Sequence, residues 1–557
     1  MILRRSFQYL LLALLTAFIA VFLLLPIGTV VKEGCDWRLF AEVFSNAVYR
    51  QGLWNSLMIA LVTTGIVFTI SMPLAVIYDR YDFPGKSWCN LLMMLPMILP
   101  PFVGALGFQK ILGHYGVLNT LLVNCGLARV DFLGGRWCFW SVCLIEALHL
   151  YPIFYLNIVT ALGNLDPSLD EAAANLGASR FKRFFMIKLP LIRPGILAGA
   201  SLVLVWSFTE LGTPLMFGYT RTTAVQIFNG LNELETNPIP YTLVVIMLIF
   251  SALLYIGAKL TLGRHSAATM PKAGMGSSAR KLASWRKLLP GAAFLGVSLI
   301  AASPHVALVL CAFFRRYYGT MLPKHFTLEN FTGALSDPLV LPSIGNSLKY
   351  SLLAMVLSVA IGVVTSLAVV RWKLKFSAVA DLLAMLPLAV PGMVVAFGYM
   401  GMSTRYVWAR SIFHPVENPL LLLGIAYAVR RIPYVVRSVS AGLEQTPEEL
   451  ENAARNFGAS PLKVLVKVTL PLIVANILVG GLFAFSFSML EVSDSLILAQ
   501  KSEFFPITKA LYELAQILGS GPGIACAFGV WAMLFMAATL AVASAVLGKK
   551  IGAVFKF

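Results

Sequence analysis

Charged residues are scarce in this sequence. They make up 12% of its 557 residues, hydrophobic residues make up 59%, and a soluble domain carries about 25% charged residues. Apolar runs of about 20 residues recur from end to end, and each is long enough to cross the roughly 30 Å hydrocarbon core of a bilayer. The runs do not alternate with polar residues, which excludes a β-barrel. The composition therefore predicts an all-α polytopic membrane protein.

Motifs for catalysis and nucleotide binding are also missing. The sequence has no G-x-x-x-x-G-K-[ST] segment that could hold ATP phosphates, and neither G-x-S-x-G nor H-E-x-x-H occurs. We therefore predict no catalytic residue, no enzymatic activity and no cofactor on this chain.

Metal-binding spacings are absent from the cysteines and histidines. The seven Cys form no C-x-x-C pair and no Cys/His cluster at zinc spacing, and the six His are scattered. No metal site is predicted. Cys125 and Cys138 flank one predicted outer loop, and both a disulfide in an oxidising compartment and two free thiols stay open.

The net charge of +18 does not indicate nucleic-acid binding, because no soluble segment combines basic and aromatic residues. The excess Lys and Arg instead follow the positive-inside rule. Arg4 and Arg5 place the N-terminus in the cytoplasm, and the apolar run after them is too long for a signal-peptide core, so we interpret it as a retained helix. Both termini are then cytoplasmic. The predicted spans number twelve, at about 9–31, 54–78, 88–112, 137–162, 193–217, 240–262, 288–313, 347–370, 377–402, 415–438, 470–498 and 523–547.

The sequence contains an internal repeat. NSLMIALV from Asn55 resembles NSLKYSLL from Asn346, and the later match of LLMMLPMILPP with LLAMLPLAVPG aligns Pro96 with Pro387 and Pro100 with Pro391. These prolines predict kinks in spans 3 and 9. They are candidate walls of a transport pathway, and ordinary tolerance of proline in bilayers is the alternative.

The repeat predicts three segments. Residues 1–263 form a first six-span half, residues 264–287 a basic, Gly- and Ser-rich cytoplasmic linker, and residues 288–557 a second six-span half. Because each half has an even number of spans, the halves run parallel about a pseudo-two-fold axis.

A second match follows spans 4 and 10. It joins DEAAANLGASRFKRFFMIKLPLIRPGI from Asp170 to ENAARNFGASPLKVLVKVTLPLIVANI from Glu451, with 12 of 27 positions identical. Acidic residues open a short helix in each copy, and Gly177 or Gly458 closes it. Paired alanines leave one helix face nearly flat, so a partner could approach closely. We name these cytoplasmic segments the first elbow (about 166–190) and the second elbow (about 447–471).

The elbows resemble the EAA loop of ABC importer permeases, which forms a coupling helix that docks on an ATPase subunit. The matching positions and their acidic neighbours are Asp170, Glu171, Ala172, Ala173, Gly177, Leu189 and Pro190 in the first elbow, and Glu451, Asn452, Ala453, Ala454, Gly458, Leu470 and Pro471 in the second. The second elbow departs from the family at Asn452, where the motif has Glu, and Glu451 is placed to compensate.

The resemblance extends over nearly the whole chain and is strongest to fused ferric-iron permeases. It implies a type I importer permease in the bacterial inner membrane, two copies of a separate ABC ATPase that bind ATP and Mg, and a periplasmic substrate-binding protein. Ferric iron is the favoured substrate. A phosphonate, sugar phosphate, thiamine or polyamine is the alternative, and a proton-coupled secondary transporter is the alternative class.

Three carboxylates lie late in predicted spans 5 and 11. Glu210 and Glu491 occupy equivalent positions late in spans 5 and 11, and Asp494 follows one turn later. Carboxylates inside a bilayer usually face a polar cavity or a partner. Two interpretations stay open: acids that line a cation pathway, and helix-to-helix hydrogen bonding. Glu146 and His149 in span 4, and Arg430 and Arg431 in span 10, also lie in or near apolar runs and could pair with acids of neighbouring helices.

Overall fold

A computed structural model describes residues 5–98, 101–233, 236–263, 280–281, 284–314, 319–321 and 325–547. Most of these residues are helical, which confirms the all-α class. In this part of the chain the strands are Tyr81–Asp82 and Arg280–Lys281, which pair in parallel. Within the predicted linker, residues 264–279 and 282–283 lie outside the described residues.

Two compact units make up the chain, and they do not coincide with the sequence halves. The N-unit contains Ala47–Gln226 and Phe250–Asn330, and the C-unit contains Met1–Asn46, Ile227–Ile249 and Phe331–Val554. The first long helical segment of the first half, Arg5–Gly34, therefore belongs to the C-unit. The first helix of the second half, Leu288–Phe313, belongs to the N-unit.

Each unit consists of short and long helices, given below in chain order. The N-unit has Ala47–Arg80, Lys86–Met93, Leu95–Ile98, Pro101–Leu112, Val117–Asn124, Gly135–Gly163, Pro167–Asn175, Arg180–Arg183, Leu189–Phe208, Gly212–Met216 and Leu288–Phe313. The C-unit has Arg5–Ile19, Leu25–Gly34, Trp37–Ser45, Val340–Ser366, Ser377–Met385, Gly392–Arg405, Val407–Ile412, Leu420–Gln445, Glu448–Asn456, Pro461–Val464, Leu470–Met489, Ser493–Leu498, Ile507–Gln516 and Gly521–Leu547. Thr223–Asn229, Ile239–Gly263 and Glu329–Ser336 each contribute residues to both units.

The first helix of each half crosses another helix of its unit at a glycine, and the two glycines are equivalent in the repeat. In the N-unit, a Cβ atom on Gly107 would lie 1.7 Å from the backbone oxygen of Pro304, and in the C-unit a Cβ on Gly398 would lie 2.5 Å from that of Pro26. Only a residue without a side chain permits such an approach. These repeated glycines are thus explained by helix crossing within each unit.

The second and fourth helices of each half pack in one register. In the N-unit the Ser71 hydroxyl donates to the Tyr151 carbonyl, 80 residues on, and in the C-unit the Ser366 hydroxyl donates to the Val436 carbonyl, 70 residues on. The ten-residue difference equals the shortening of the intervening loop in the second half, since the repeat offset falls from 291 at Asn55 and Asn346 to 281 at Pro152 and Pro433. The two helices therefore pack in the same register in both halves, although the serines stand one turn apart in the repeat, since Gly362 is the counterpart of Ser71.

The described residues contain nine helices that are long and apolar enough to cross a membrane, or ten if one bent pair counts as a span. The twelve predicted spans are thus not all present as unbroken apolar helices. Residues 88–112 divide into three helices, and Leu420–Gln445 carries Arg430 and Arg431, whose charge lowers its hydropathy. The predicted span at 193–217 begins earlier, at Arg180.

The bent pair confirms the predicted kink in span 9. Ser377–Leu388 and Gly392–Arg405 meet at 102°, with Pro387 in a 3₁₀ turn and Pro391 directly before the second helix. Proline cannot donate the helical hydrogen bond and restricts the preceding residue, so the helix breaks there. In span 3, Pro96 lies in the short helix Leu95–Ile98, and Pro100 lies outside the described residues.

The predicted alternatives for Cys125 and Cys138 are resolved in favour of free thiols. Cys125 is exposed and Cys138 is buried. Burial of Cys138 is the packing role that small apolar thiols usually have.

Candidate functional site

The first elbow begins with a capped helix. Asp166 accepts a hydrogen bond from the Ser168 backbone nitrogen at 2.9 Å, and Pro167 takes the first helical position, where a missing N–H costs nothing. The helix Pro167–Asn175 is terminated by Gly177, whose φ of 78° lies in the left-handed region. Its N–H and that of Ala178 return to carbonyls of the last turn, which is the usual glycine termination.

The second elbow repeats this geometry. Its helix, Glu448–Asn456, has three glutamates in the first turn, where the helix dipole favours negative charge. Gly458 has a φ of 81°. The Ala459 N–H donates to the Ala454 carbonyl at 3.1 Å, as that of Ala178 does to Ala173 at 3.0 Å. Two sequences with fewer than half their residues in common thus fold to one shape.

A wide turn follows each glycine. Phe184–Lys188 and Leu465–Thr469 are π-helical, and each leads into the Leu-Pro pair that opens the next long helix. Pro190 and Pro471 have no N–H to donate to the carbonyl four residues earlier, so a π turn accommodates the missing bond. This turn is the physical role of the repeated Leu-Pro motif.

Both elbows expose large apolar residues at equivalent positions, and one pair is almost fully exposed. Leu176 is 88% exposed and Phe457 is 92% exposed, each directly before the terminating glycine. The matched positions around them are buried to the same degree in both elbows. The exposed pairs are Glu171 and Asn452, Ala172 and Ala453, and Pro190 and Pro471, and the half-buried pairs are Ala173 and Ala454, and Leu189 and Leu470. An exposed apolar knob beside a flat alanine face is a surface suited to a protein partner.

The acidic residues that open the two matches are bonded differently. Asp170 pairs with Arg183 of its own elbow at 3.1 Å. Glu451, which is 5% exposed, pairs at 2.8 Å with Arg371, which ends the π turn that follows the helix Val340–Ser366. Sequence reasoning did not identify Arg371 as part of the elbow, because its partner lies 80 residues away.

Glu448 forms a weaker, exposed contact in the second elbow. Its carboxylate accepts from the Lys373 ammonium at 3.2 Å. This hydrogen bond and the positive charge of Lys373 hold the pKa of Glu448 below its ordinary value. Glu448 is therefore ionised at neutral pH.

The C-unit buries a balanced group of charges. Glu491, 6% exposed, bonds both Arg430 and Arg431, and fully buried Asp494 lies 3.5 Å from Arg430. The expectation that these arginines pair with acids of a neighbouring helix is confirmed. Glu491 follows the end of Leu470–Met489, and Asp494 is in the first turn of Ser493–Leu498.

The N-unit has a different set of polar residues at the equivalent positions. His149 and Leu150 replace the two arginines. Glu210 accepts from the Thr213 backbone nitrogen at 3.3 Å. Glu146 is 3% exposed and accepts a hydrogen bond from the Ser207 hydroxyl. The two halves therefore share the position of Glu210 and Glu491 but not its electrostatic surroundings.

Among the described residues, no group of three or more His, Cys, Asp or Glu side chains is arranged to hold a metal ion.

These observations define a multi-pass α-helical membrane protein with two matched elbows. Residues 71–261 and 358–548 each match the family described as binding-protein-dependent transport system inner membrane component. The two matches together cover more than half of the chain, and each contains one elbow. The chain belongs to this family, the inner-membrane permeases of binding-protein-dependent ABC importers.

Several curated proteins are similar to it. The ferric transport system permease protein FbpB of Actinobacillus pleuropneumoniae is 24% identical over 90% of this chain and 71% of its own. The Fe(3+)-transport system permease protein FbpB 2 of Haemophilus influenzae is 24% identical over 82% of this chain and 81% of its own. The spermidine/putrescine permease PotB of the same organism is 29% identical over 37% of this chain and 75% of its own.

Solved structures show a weaker likeness. A bacterial ABC transporter that imports the polysaccharide alginate matches 46% of this chain and 96% of its own, with a TM-score of 0.40 and 20% identity.

Proposed function

We propose that this permease forms the translocation pathway of an ABC importer and that its two elbows each dock on one copy of a separate ATPase subunit. The observation that carries the proposal is the repeated elbow surface, with Leu176 and Phe457 exposed beside flat alanine faces. ATP and Mg would be bound by the ATPase, and this chain would perform no hydrolysis. Closure of the ATPase dimer would move both elbows and so shift the helices that open the pathway.

The proposed arrangement has twelve membrane crossings, in two parallel six-helix repeats with both termini in the cytoplasm. The broken segments 88–112 and 377–402 and the charged helix Leu420–Gln445 would complete the crossings beyond the nine long apolar helices of the described residues. Broken and charged helices are tolerated at membrane depth where they line a cavity or are covered by protein. The proline-bearing breaks are therefore proposed to line the pathway.

The docking surface can be tested by placing a charge on each knob. Phe457→Glu and Leu176→Glu should each abolish or strongly reduce co-purification of the ATPase subunit, because an apolar contact cannot bury a carboxylate without large cost. Leu518→Glu is the matched control, since Leu518 is 95% exposed but lies outside both elbows. Normal ATPase binding by both elbow variants would contradict the proposal.

The proposed substrate is ferric iron, delivered by a periplasmic binding protein. The support is the similarity to ferric permeases over most of the chain, and the shorter match to a polyamine permease keeps a polyamine as the first alternative. In proteoliposomes with the assembled importer, iron-loaded binding protein should raise ATP turnover. Stimulation by a polyamine-loaded or phosphonate-loaded binding protein, with none by the iron-loaded one, would reject iron.

Glu210 and Glu491 remain candidate pathway residues, together with Asp494. In the C-unit, two arginines neutralise Glu491, so a passing cation would have to compete with them. If the double variant Glu210→Gln, Glu491→Gln folds and imports substrate at the normal rate, these residues have no role in the pathway.

A further inference from the structure

Arg371 joins three elements of the C-unit. Its Nε donates to Glu451 of the second elbow at 2.8 Å. Its Nη2 donates to the carbonyls of Leu443 and Thr446 at 2.8 and 2.7 Å. Arg371 itself ends the π turn Leu367–Arg371, which continues the long helix Val340–Ser366. One guanidinium therefore holds two long helices and the elbow helix together.

Burial and the position at a helix end strengthen the hydrogen bonds of Arg371. The Arg371 and Glu451 side chains are each 7% exposed, so water screens the pair little. The carbonyls at residues 443 and 446 lie at the end of Leu420–Gln445, where the helix dipole makes a cation favourable. Five N–H groups in a rigid plane allow Arg to bond all three partners, which Lys cannot reproduce.

The first elbow lacks this clamp. Arg80 is the counterpart of Arg371 at the repeat offset of 291, and Asp170 is the counterpart of Glu451 at the offset of 281. Asp170, however, pairs with Arg183 inside its own elbow, and Val464 replaces that arginine in the second half.

A cavity occupies the gap beside the first elbow. Its volume is about 290 Å³, and Arg80, Asp170 and Arg183 are among its lining residues. The first elbow is therefore joined to the long helix Ala47–Arg80 by the partly exposed ion pair of Lys188 with Asp79 at 3.4 Å, with space beside it, whereas the second elbow is held by the buried Arg371 network.

We propose that Arg371 is a positioning residue that locks the second elbow to the C-unit, so that the two elbows transmit ATPase movement unequally. This inference rests on the proposed function. A rigid elbow passes a displacement of its tip directly to the helices behind it. An elbow held by one partly exposed ion pair can rotate against the helices behind it, and part of the movement is lost.

The experiment compares Arg371→Gln with Arg80→Gln in the reconstituted importer and measures substrate imported per ATP hydrolysed. This ratio reports coupling and does not depend on how much protein folds. Arg371→Gln should lower the ratio about tenfold or more, since it removes charge-assisted bonds to three partners, of which Glu451 and Leu443 are buried. Arg80→Gln should change the ratio less than about twofold, as expected for a residue outside such a network. In both variants the ATPase subunits should still co-purify.

Two further variants keep the inference testable if Arg371→Gln does not fold. Glu451→Gln removes the charge of the partner and should also lower the ratio, and Arg371→Lys should restore it only partly. Equal ratios for Arg371→Gln and Arg80→Gln, or a normal ratio for Glu451→Gln, would overturn this inference alone. Absence of ATPase subunits from the wild-type complex would overturn the proposed function, and this inference with it.

Discussion

At the residue scale, the two glutamates at the equivalent positions 210 and 491 differ in what surrounds them. Glu491 is bonded to two buried arginines, while Glu210 accepts from the backbone at the start of a short helix. Removing one member of a buried ion pair leaves uncompensated charge and costs about 3–5 kcal/mol. We therefore expect Glu491→Gln to lower the melting temperature in detergent clearly, and Glu210→Gln to lower it little.

The opposite order, with Glu210→Gln the more destabilising change, would show that the N-unit depends on its carboxylate more than the C-unit does. Normal stability of Glu491→Gln would show that both arginines find other partners. Transport measured on the same two variants separates a loss of folding from a loss of conduction.

A second residue-scale prediction concerns Glu448. Lys373 lowers the pKa of Glu448, so any stabilisation by the pair is fully present above the ordinary glutamate pKa and is lost as the pH falls through the lowered value. We expect Glu448→Gln to behave like wild type in ATPase binding and transport between pH 6 and pH 8. A pH-dependent defect in that range would contradict this assignment.

At the scale of elements, the crossings of the exchanged helices depend on glycine. A methyl group on Gly107 or Gly398 would collide with backbone atoms of the crossing helix, at 1.7 and 2.5 Å respectively, and backbone cannot move aside as a side chain can. Overpacking of this kind costs about 1–3 kcal/mol or more. Gly107→Ala and Gly398→Ala should therefore both lower the melting temperature, with Gly107→Ala the worse.

Gly296→Ala is the matched control, because Gly296 lies in Leu288–Phe313 and a Cβ there meets nothing within 4 Å. It should leave the melting temperature unchanged or raise it slightly, since alanine favours the helix. Comparable losses in all three variants would show that the close approach is not the cause.

At the scale of the whole molecule, the proposed orientation in the membrane can be tested with a thiol reagent that does not cross membranes. Cys35 and Cys125 are exposed and belong to predicted outer segments, so both should react in intact cells. Cysteines introduced at Leu176 and Phe457, in a background without native cysteines, should react only after the membrane is opened. Labelling of either elbow from outside would refute the cytoplasmic elbows and the importer built on them.

The amino-acid sequence alone determined the class, the repeat, the two elbows and the bend at Pro391. These features depend on local rules that need no neighbours: apolar length, glycine at left-handed positions, and proline where a helix must break. The 281-residue offset between elbows was enough to predict that they share a shape, and Gly177 and Gly458 confirm it.

Tertiary structure decided which side chains meet. The exchange of the first helices, the pairing of Arg371 with Glu451 and the neutralisation of Glu491 by two arginines all join residues 60 or more positions apart, and no periodicity encodes such distances. Hydropathy also could not show that the segments around Pro96 and Arg430 depart from plain apolar helices. Their bends and charges are stabilised by neighbours that come together only when the chain folds.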